Sequence, residues 1–192
     1  TTLSRSIPKK HKMSFKSYVD KKSGKIYAGI PNGPLENTGV ATKKHGSYVR
    51  FKPDKTAFET VEFNAETIIK RMRELAFLNK GIKLVFVDMR SGKAEPLVFC
   101  YEGGIYDYVK YLNEGNNTLI DSPIYGYQEV EIAGTRETVK VEFALQHTDG
   151  YNEIVLSFVN NIPTHDGGKH EEGFKSGLTR VLNDYARTRG HI

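Results

Sequence analysis

The 192-residue chain contains one cysteine, Cys100, and that scarcity excludes several chemistries. A single thiol cannot close an internal disulfide, and without paired cysteines a zinc-ribbon type of metal site is ruled out. Cys100 sits in an apolar run and is expected to be an inert core thiol. The sequence has no apolar stretch of the roughly 18 residues needed to cross a membrane, and no leader of the cleavable kind. The protein is therefore expected to be soluble and cytoplasmic, with no membrane partner. Ser, His and Asp occur without a nucleophile motif, and no Walker-type Lys-Ser/Thr follows the glycine pair Gly103-Gly104. Internal repeats and low-complexity segments are absent. No complete catalytic constellation can be assembled from the sequence.

What is present describes an ordinary folded protein with a basic lean. The apolar content of 38%, 11% of the chain being aromatic, is enough for a packed core, and 27% charged residues supply a soluble surface. The net charge of +5 and pI near 9.1 are compatible with a nucleic-acid partner but do not require one. The length suits one large domain or two small ones.

Taken in order, the chain alternates strand-like and helix-like patterns. Thr1 to Lys12 is polar and basic without periodicity, and Lys9-Lys10-His11-Lys12 reads as a solvated charge run or a phosphate contact. Met13 to Val19 and Lys25 to Ile30 read as strands around a turn at Lys21-Lys22-Ser23-Gly24. From Gly46 a further strand is expected, with Tyr48, Arg50 and Lys52 on one side and Ser47, Val49 and Phe51 on the other. Asn64 can cap a helix running to Leu78, where Ile68, Met72, Leu75 and Ala76 form the apolar stripe and Asn79-Lys-Gly81 the stop. On that helix Lys70, Arg71 and Arg73 are expected to be a solvated face. Ile82 to Arg90 and Pro96 to Tyr101 follow as strands, then a short helix from Ile105 that ends at Gly115. The last third offers strands at Pro123 to Ile132, Glu137 to His147 and Glu153 to Val159.

The stretch Phe158 to Arg187 ends a strand, turns through paired glycines and enters a long amphipathic helix from about Gly173. Phe174, Leu178, Val181, Leu182 and Tyr185 recur on one face of a 3.6-residue period, expected to pack on the preceding sheet. Asp166 can cap the amides that follow it, and Gly167-Gly168 permit close backbone approach. His165, Asp166 and His170 could form a metal cluster, but their spacing fits neither a helical His pair nor a zinc finger, so no metal site is expected. Glu171-Glu172 read as acids that offset the helix dipole.

The wording of these segments carries more than their periodicity. Asn160-Asn-Ile-Pro-Thr-His-Asp-Gly-Gly-Lys-His-Glu-Glu-Gly-Phe-Lys175, Lys70-Arg-Met-Arg-Glu-Leu-Ala-Phe-Leu-Asn-Lys-Gly81 and Tyr101-Glu-Gly-Gly-Ile105 together closely resemble the family of bacterial DNA gyrase B subunits and their topoisomerase IV paralogues. The resemblance extends from the first twenty residues to Arg187. It implies an α+β fold: residues 1–102 would be the C-terminal part of a GHKL-type ATP-binding α/β sandwich. Residues 103–192 would be the start of a transducer domain, a β-sheet packed by helices. The segment from Thr38 to Asp54 resembles the strand that closes one side of the family's adenine pocket. By that resemblance Gly46, Ser47 and Val49 are candidate cofactor-binding residues, Ser47 standing where Thr is usual and Val49 forming an apolar wall. His45 departs from the family's Thr, and Lys169 stands where the Gly-Gly-x-His turn usually has Thr.

The resemblance further implies a parent enzyme, an ATP-hydrolysing type IIA topoisomerase subunit using ATP and Mg²⁺. Its partners would be DNA, a gyrase A-like or topoisomerase IV A-like subunit, and a second copy of itself at an ATP gate. The family's catalytic Glu lies N-terminal to the matched region and its Gln-Thr-Lys loop beyond it, and this sequence contains no Gln-Thr-Lys. The 192 residues are accordingly expected to be an internal piece without catalytic residues, inactive alone. The alternatives are a topoisomerase IV B-like decatenase and, for the isolated piece, a non-catalytic basic binding module.

Overall fold

The computed structural model describes residues 9–43, 46–55, 58–92, 95–132 and 134–192. They form two compact units, one ending at Phe63 and the other running from Asn64 to Ile192.

The first unit is a long, interrupted β-ribbon. Its strands are β1 (Lys9–Lys12), β2 (Phe15–Val19), β3 (Ile26–Pro31) and β4 (Glu36–Ala41). The inner pair β2–β3 is antiparallel and closes through a turn in which Asp20 N donates to Lys25 O and Gly24 N to Asp20 O. The outer pair β1–β4 continues the same ribbon. Asn32 joins the two parts, its N donating to Ser14 O and its Nδ2 to Ser14 Oγ, both at 2.9 Å. The inner hairpin is as expected from sequence; the outer one is not. All of β1 is exposed, so its pairing rests on backbone hydrogen bonds and leaves no hydrophobic alternation to read. Among the described residues of this unit none is buried.

The strand expected from Gly46 does not form. Residues 46–54 run without a ladder, and Tyr48, Val49 and Phe51 are largely exposed. Alternation marks residues that suit a strand, but a strand also needs a neighbour to accept its amides. Among the described strands of this unit, each is already paired elsewhere.

The second unit begins with α1 (Ala65–Leu78), capped as expected: Asn64 Oδ1 accepts from Thr67 N at 3.0 Å and Asn79 N donates to Leu75 O. Strands β5 (Leu84–Phe86) and β6 (Leu97–Phe99) pair antiparallel around a 3₁₀ turn at Met89–Ser91. Helix α2 (Ile105–Leu112) follows, then the hairpin of β7 (Ile124–Glu131) and β8 (Thr138–Leu145), in unbroken register from Ile124↔Leu145 to Glu131↔Thr138. The small hairpin of β9 (Phe158–Val159) and β10 (Ile162–Pro163) leads to α3 (Lys169–Thr188). Helices and antiparallel strands thus share one α+β unit.

The core sits where α1 meets β6 and α2. Ala76, Phe77 and Phe99 are the buried apolar residues, and the Phe77 ring stacks on Tyr101 at 3.6 Å and on Tyr108 at 4.7 Å. Gly104, with φ of 62°, caps α2 in a conformation that L-residues avoid, and a Cβ there would collide with the Lys80 stem.

Three expectations are corrected here. Cys100 is exposed: Phe99 points inward, and the two-residue period of a strand turns its neighbour outward. The strand expected over Glu153 to Val159 shrinks to β9, with Ile154, Val155 and Leu156 exposed and outside any ladder. α3 starts at Lys169, four residues before Gly173, and Gly168 is its N-cap with no side-chain bond from Asp166. On α3, Phe174 meets Phe143 of β8 at 5.2 Å, while Val181, Leu182 and Tyr185 are exposed.

Candidate functional site

The three residues proposed for cofactor binding lie in the first unit. Gly46 has φ of 138°, outside the range of other residues, and Ser47 and Val49 follow in the unpaired segment. Val49 is 80% exposed. His45 lies outside the described residues. A glycine, a hydroxyl and an apolar side chain thus stand together on one exposed, unpaired segment. None of the three offers a carboxylate to a metal.

In the second unit the polar chemistry gathers at the C-terminal half of α1. Arg71 pairs with Glu74 one turn on, and its Nη2 donates to Asn161 O at 2.8 Å. Asn161 Nδ2 donates to Asn79 Oδ1 at 2.8 Å, and Asn79 Nδ2 to Leu75 O at 2.7 Å. Asn160 and Asn161 both have positive φ, 50° and 64°, as the tight two-residue turn between β9 and β10 requires. Arg73 Nη1 donates to Tyr111 Oη at 2.6 Å, and its guanidinium lies over the Phe99 and Tyr111 rings. Lys80 Nζ contacts Tyr125 Oη at 2.9 Å and Glu142 Oε1 at 2.8 Å, and Tyr125 donates to the same carboxylate at 2.7 Å. Those bonds to Glu142 and Tyr125 raise the Lys80 pKa to about 12. Burial pushes the Tyr108 hydroxyl upward in the same region.

Of the three basic residues expected to be a solvated face, only Lys70 is exposed. Arg71 and Arg73 are half-buried and turned towards later segments of the chain. The charge pattern alone could not show this, because the acceptors lie 38 and 90 residues away. A local signal did exist: an Asn-Asn pair between short apolar segments is a hairpin-turn signature.

The glycine loop before α3 is organised by hydrogen bonds among its own residues. Ser157 Oγ meets Thr164 Oγ1 at 2.6 Å and donates to Glu171 Oε2 at 3.0 Å. Lys175, 2.9 Å from Glu171, and then Ser157 hold the Glu171 carboxyl below its ordinary range. Lys169 Nζ reaches Glu172 at 2.7 Å. His170 Nε2 lies 3.3 Å from Thr164 Oγ1, and among the described residues no three His, Cys, Asp or Glu side chains gather as metal ligands.

Comparison with known proteins places this order of helices and antiparallel strands beside gyrase-B-type proteins. Residues 104–192 match the family model described as DNA gyrase B. The B subunit of DNA gyrase from Halalkalibacterium halodurans is 46% identical over 164 residues, covering 85% of this chain and 24% of the relative. That of Streptococcus pneumoniae is 45% identical over 172 residues, covering 86% of this chain and 26% of the relative. The B subunit of DNA topoisomerase 4 from Enterococcus faecalis is also 45% identical, over 162 residues, 84% of this chain and 23% of the relative. Among solved structures, the 43K ATPase domain of Thermus thermophilus gyrase B, in complex with an aminocoumarin, superposes with a TM-score of 0.66 and 38% identity. The superposition covers 87% of this chain and 44% of that one. The chain is thus a gyrase-B-like segment, and it spans about a quarter of the length of the curated relatives described here.

Proposed function

We propose that this segment belongs to a subunit that couples ATP binding and hydrolysis to the passage of one DNA duplex through another, changing DNA supercoiling. The observation that carries the reading is 46% identity to a gyrase B protein across 85% of the chain. A boundary near Gly103, between an ATP-binding part and a transducer part, is supported by the family match beginning at residue 104. The boundary is one of ancestry more than of packing, since Phe77 from before it stacks on Tyr108 from behind it.

In this reading Gly46, Ser47 and Val49 would hold the adenine, Val49 offering apolar surface, Ser47 a hydroxyl and Gly46 a backbone that a ligand can approach. Bound ATP, with Mg²⁺, would supply the phosphoryl chemistry. Arg71, Arg73 and Phe77 of α1, with Lys80 behind it, hold the joint between the two parts. A gyrase A-like subunit, DNA and a second copy of the same polypeptide are the partners, and the cytoplasm is the compartment.

The test is ATP-dependent introduction of supercoils into relaxed plasmid by the gene product with this sequence, combined with a gyrase A-type subunit. Supercoiling that requires ATP supports the proposal. No change in linking number with ATP present refutes it. Because a topoisomerase 4 relative matches equally well at 45%, the same protein is assayed for decatenation with a topoisomerase IV A-type subunit. Preference for that partner and activity would assign the runner-up function. The 192-residue chain alone should show no magnesium-dependent ATP turnover, and measurable turnover would contradict the absence of catalytic residues from it.

A further inference from the structure

One side chain lies across the point where the family match begins, at residue 104. Lys80 stands in the stop after α1, and its root is fixed by the backbone. Gly81 N donates to Tyr101 O at 3.2 Å, so the end of α1 runs beside the segment Tyr101 to Gly104. The Lys80 stem covers Gly104, where a Cβ would collide with Lys80 Cγ and Cε. Its tip reaches the β7–β8 hairpin, with Nζ 2.8 Å from Glu142 Oε1 and 2.9 Å from Tyr125 Oη. The ammonium also lies 4.8 Å from the centre of the Tyr125 ring, and Tyr125 donates to the same carboxylate.

Other contacts cross residue 104, but they differ in kind. Phe77 stacks on Tyr108 within the core, and the Arg73 guanidinium lies over the Tyr111 ring. Neither can let go without opening packed rings. Arg71 and Asn79 hold the β9–β10 turn through neutral groups, the Asn161 carbonyl and side-chain amide. Of the ion pairs between described residues, only that of Lys80 with Glu142 joins a residue before 104 to one after it. A point charge on a flexible four-carbon stem suits such a bridge, because it can part from its carboxylate without moving the backbone. The bridge ends on the hairpin against which α3 packs through Phe143 and Phe174. A tilt of the later segments relative to α1 must therefore carry Lys80 along or break this bond.

We propose that Lys80 is a positioning residue of the coupled reaction: strapped over Gly104 and bonded to Glu142 and Tyr125, it holds residues 104–192 in the orientation that turns an ATP-driven change in the earlier part into strand passage. The proposal rests on the topoisomerase reading and adds to it the contact that keeps the two parts in step. Losing the bridge leaves ATP turnover in place and uncouples it from the change in DNA topology.

The test uses the complete protein that contains this segment, with a gyrase A-type subunit, and reads the ATP hydrolysed per unit change in linking number of relaxed plasmid. Where the protein prefers a topoisomerase IV A-type subunit, ATP per decatenated link is read instead. Lys80→Met and Glu142→Gln should each raise that ratio about two- to tenfold, the range for residues that modulate coupling, with ATP turnover changed less than about twofold. Lys80→Arg keeps the charge and the reach and should keep the parent's ratio. The double variant should be no worse than either single, because both remove the same bridge. Lys140→Met breaks the pair with Glu129 inside the same hairpin and should leave the ratio unchanged. The parent's ratio in Lys80→Met, an equal rise in Lys140→Met, or turnover and strand passage falling together in Lys80→Met would overturn the proposal. Additive losses in the double variant would overturn the bridge as their cause. Failure of the topoisomerase reading is seen separately, in the parent protein, as no ATP-dependent change in DNA topology with either A-type subunit.

Discussion

Replacing Phe77 by Ala tests whether the second unit is held by the small aromatic core the structure shows. Phe77 is 2% exposed, and with Ala76 and Phe99 it makes up the buried apolar set of the described chain. Truncating a buried Phe costs about 3–5 kcal/mol, combining lost transfer energy with the cavity left behind. Collapse into that cavity is resisted here. The flanking rings of Tyr101 and Tyr108 lie nearly parallel to Phe77, at 15° and 11°, one from the turn after β6 and the other from α2. Lost ring stacking adds to the cost, so about 4 kcal/mol is expected, a large share of a typical domain's 5–15 kcal/mol. Phe77→Leu keeps most of the volume and should cost about 1–2 kcal/mol. Tyr185→Ala, at a ring 56% exposed, should cost less than about 1 kcal/mol. Urea denaturation followed by circular dichroism gives all three. A Phe77→Ala cost below about 1 kcal/mol, or one equal to that of Tyr185→Ala, would show that the core lies elsewhere.

Three further perturbations are informative. Asn161→Ala should destabilise the second unit more than Asn161→Gly, by about 1 kcal/mol, because both lose the bond to Asn79 but only Ala is strained at φ of 64°; equal costs in denaturant melts would contradict this. Lys80 has a folded pKa of about 12, above its ordinary value of 10.5. Its contribution is therefore fully present below pH 10.5 and is lost as pH rises through about 12. The stability difference between the parent and Lys80→Met should accordingly shrink over that alkaline window, from a starting value below about 1 kcal/mol since Lys80 is 45% exposed; a difference that grows with pH would refute the assignment. Val49→Asp in the complete protein should weaken ATP binding, measured by calorimetry, by at least about tenfold by placing an unpaired carboxylate against the base. Unchanged affinity would remove Val49 from the pocket.

Sequence patterns located those elements whose signals are local. Asn64 and Asn79 bracket α1 because caps satisfy amides and carbonyls within a few residues. The hairpin β7–β8 was legible from the alternation of Val139, Val141, Phe143 and Leu145 with polar neighbours. What was not legible depended on distant partners. β1 forms because β4 supplies its hydrogen bonds across some thirty residues, with no burial to mark it. Residues 46–52 alternate as well as any strand, yet lack a described neighbour. Phe77 fell outside the stripe assigned to α1 because two neighbouring elements, β6 and α2, widen the buried face. For the candidate pocket, Gly46, Ser47 and Val49 came from family wording, and no periodicity would have singled them out.

The same dependence decides what a basic residue means. α1 and the loop after it contain Lys70, Arg71, Arg73 and Lys80, a run that resembles a cationic surface on paper. In the fold three of the four are tied down, Arg71 by Glu74 and Asn161, Arg73 by Tyr111 and two ring faces, and Lys80 by Glu142 and Tyr125. Holding those partners orders the joint between α1 and the later segments, and little of that charge is left for an external anion. In the ribbon the lysines outnumber acids seven to two, and among the described residues none is in an ion pair, although Lys25 lies over the Tyr27 ring and Glu36 stands opposite Lys12. The net charge of +5 is thus a poor guide to where an anion would bind. The unit ending at Phe63 has thirteen Lys and Arg against five Asp and Glu, a net +8, and the unit that packs a core has fifteen against eighteen and is acidic overall.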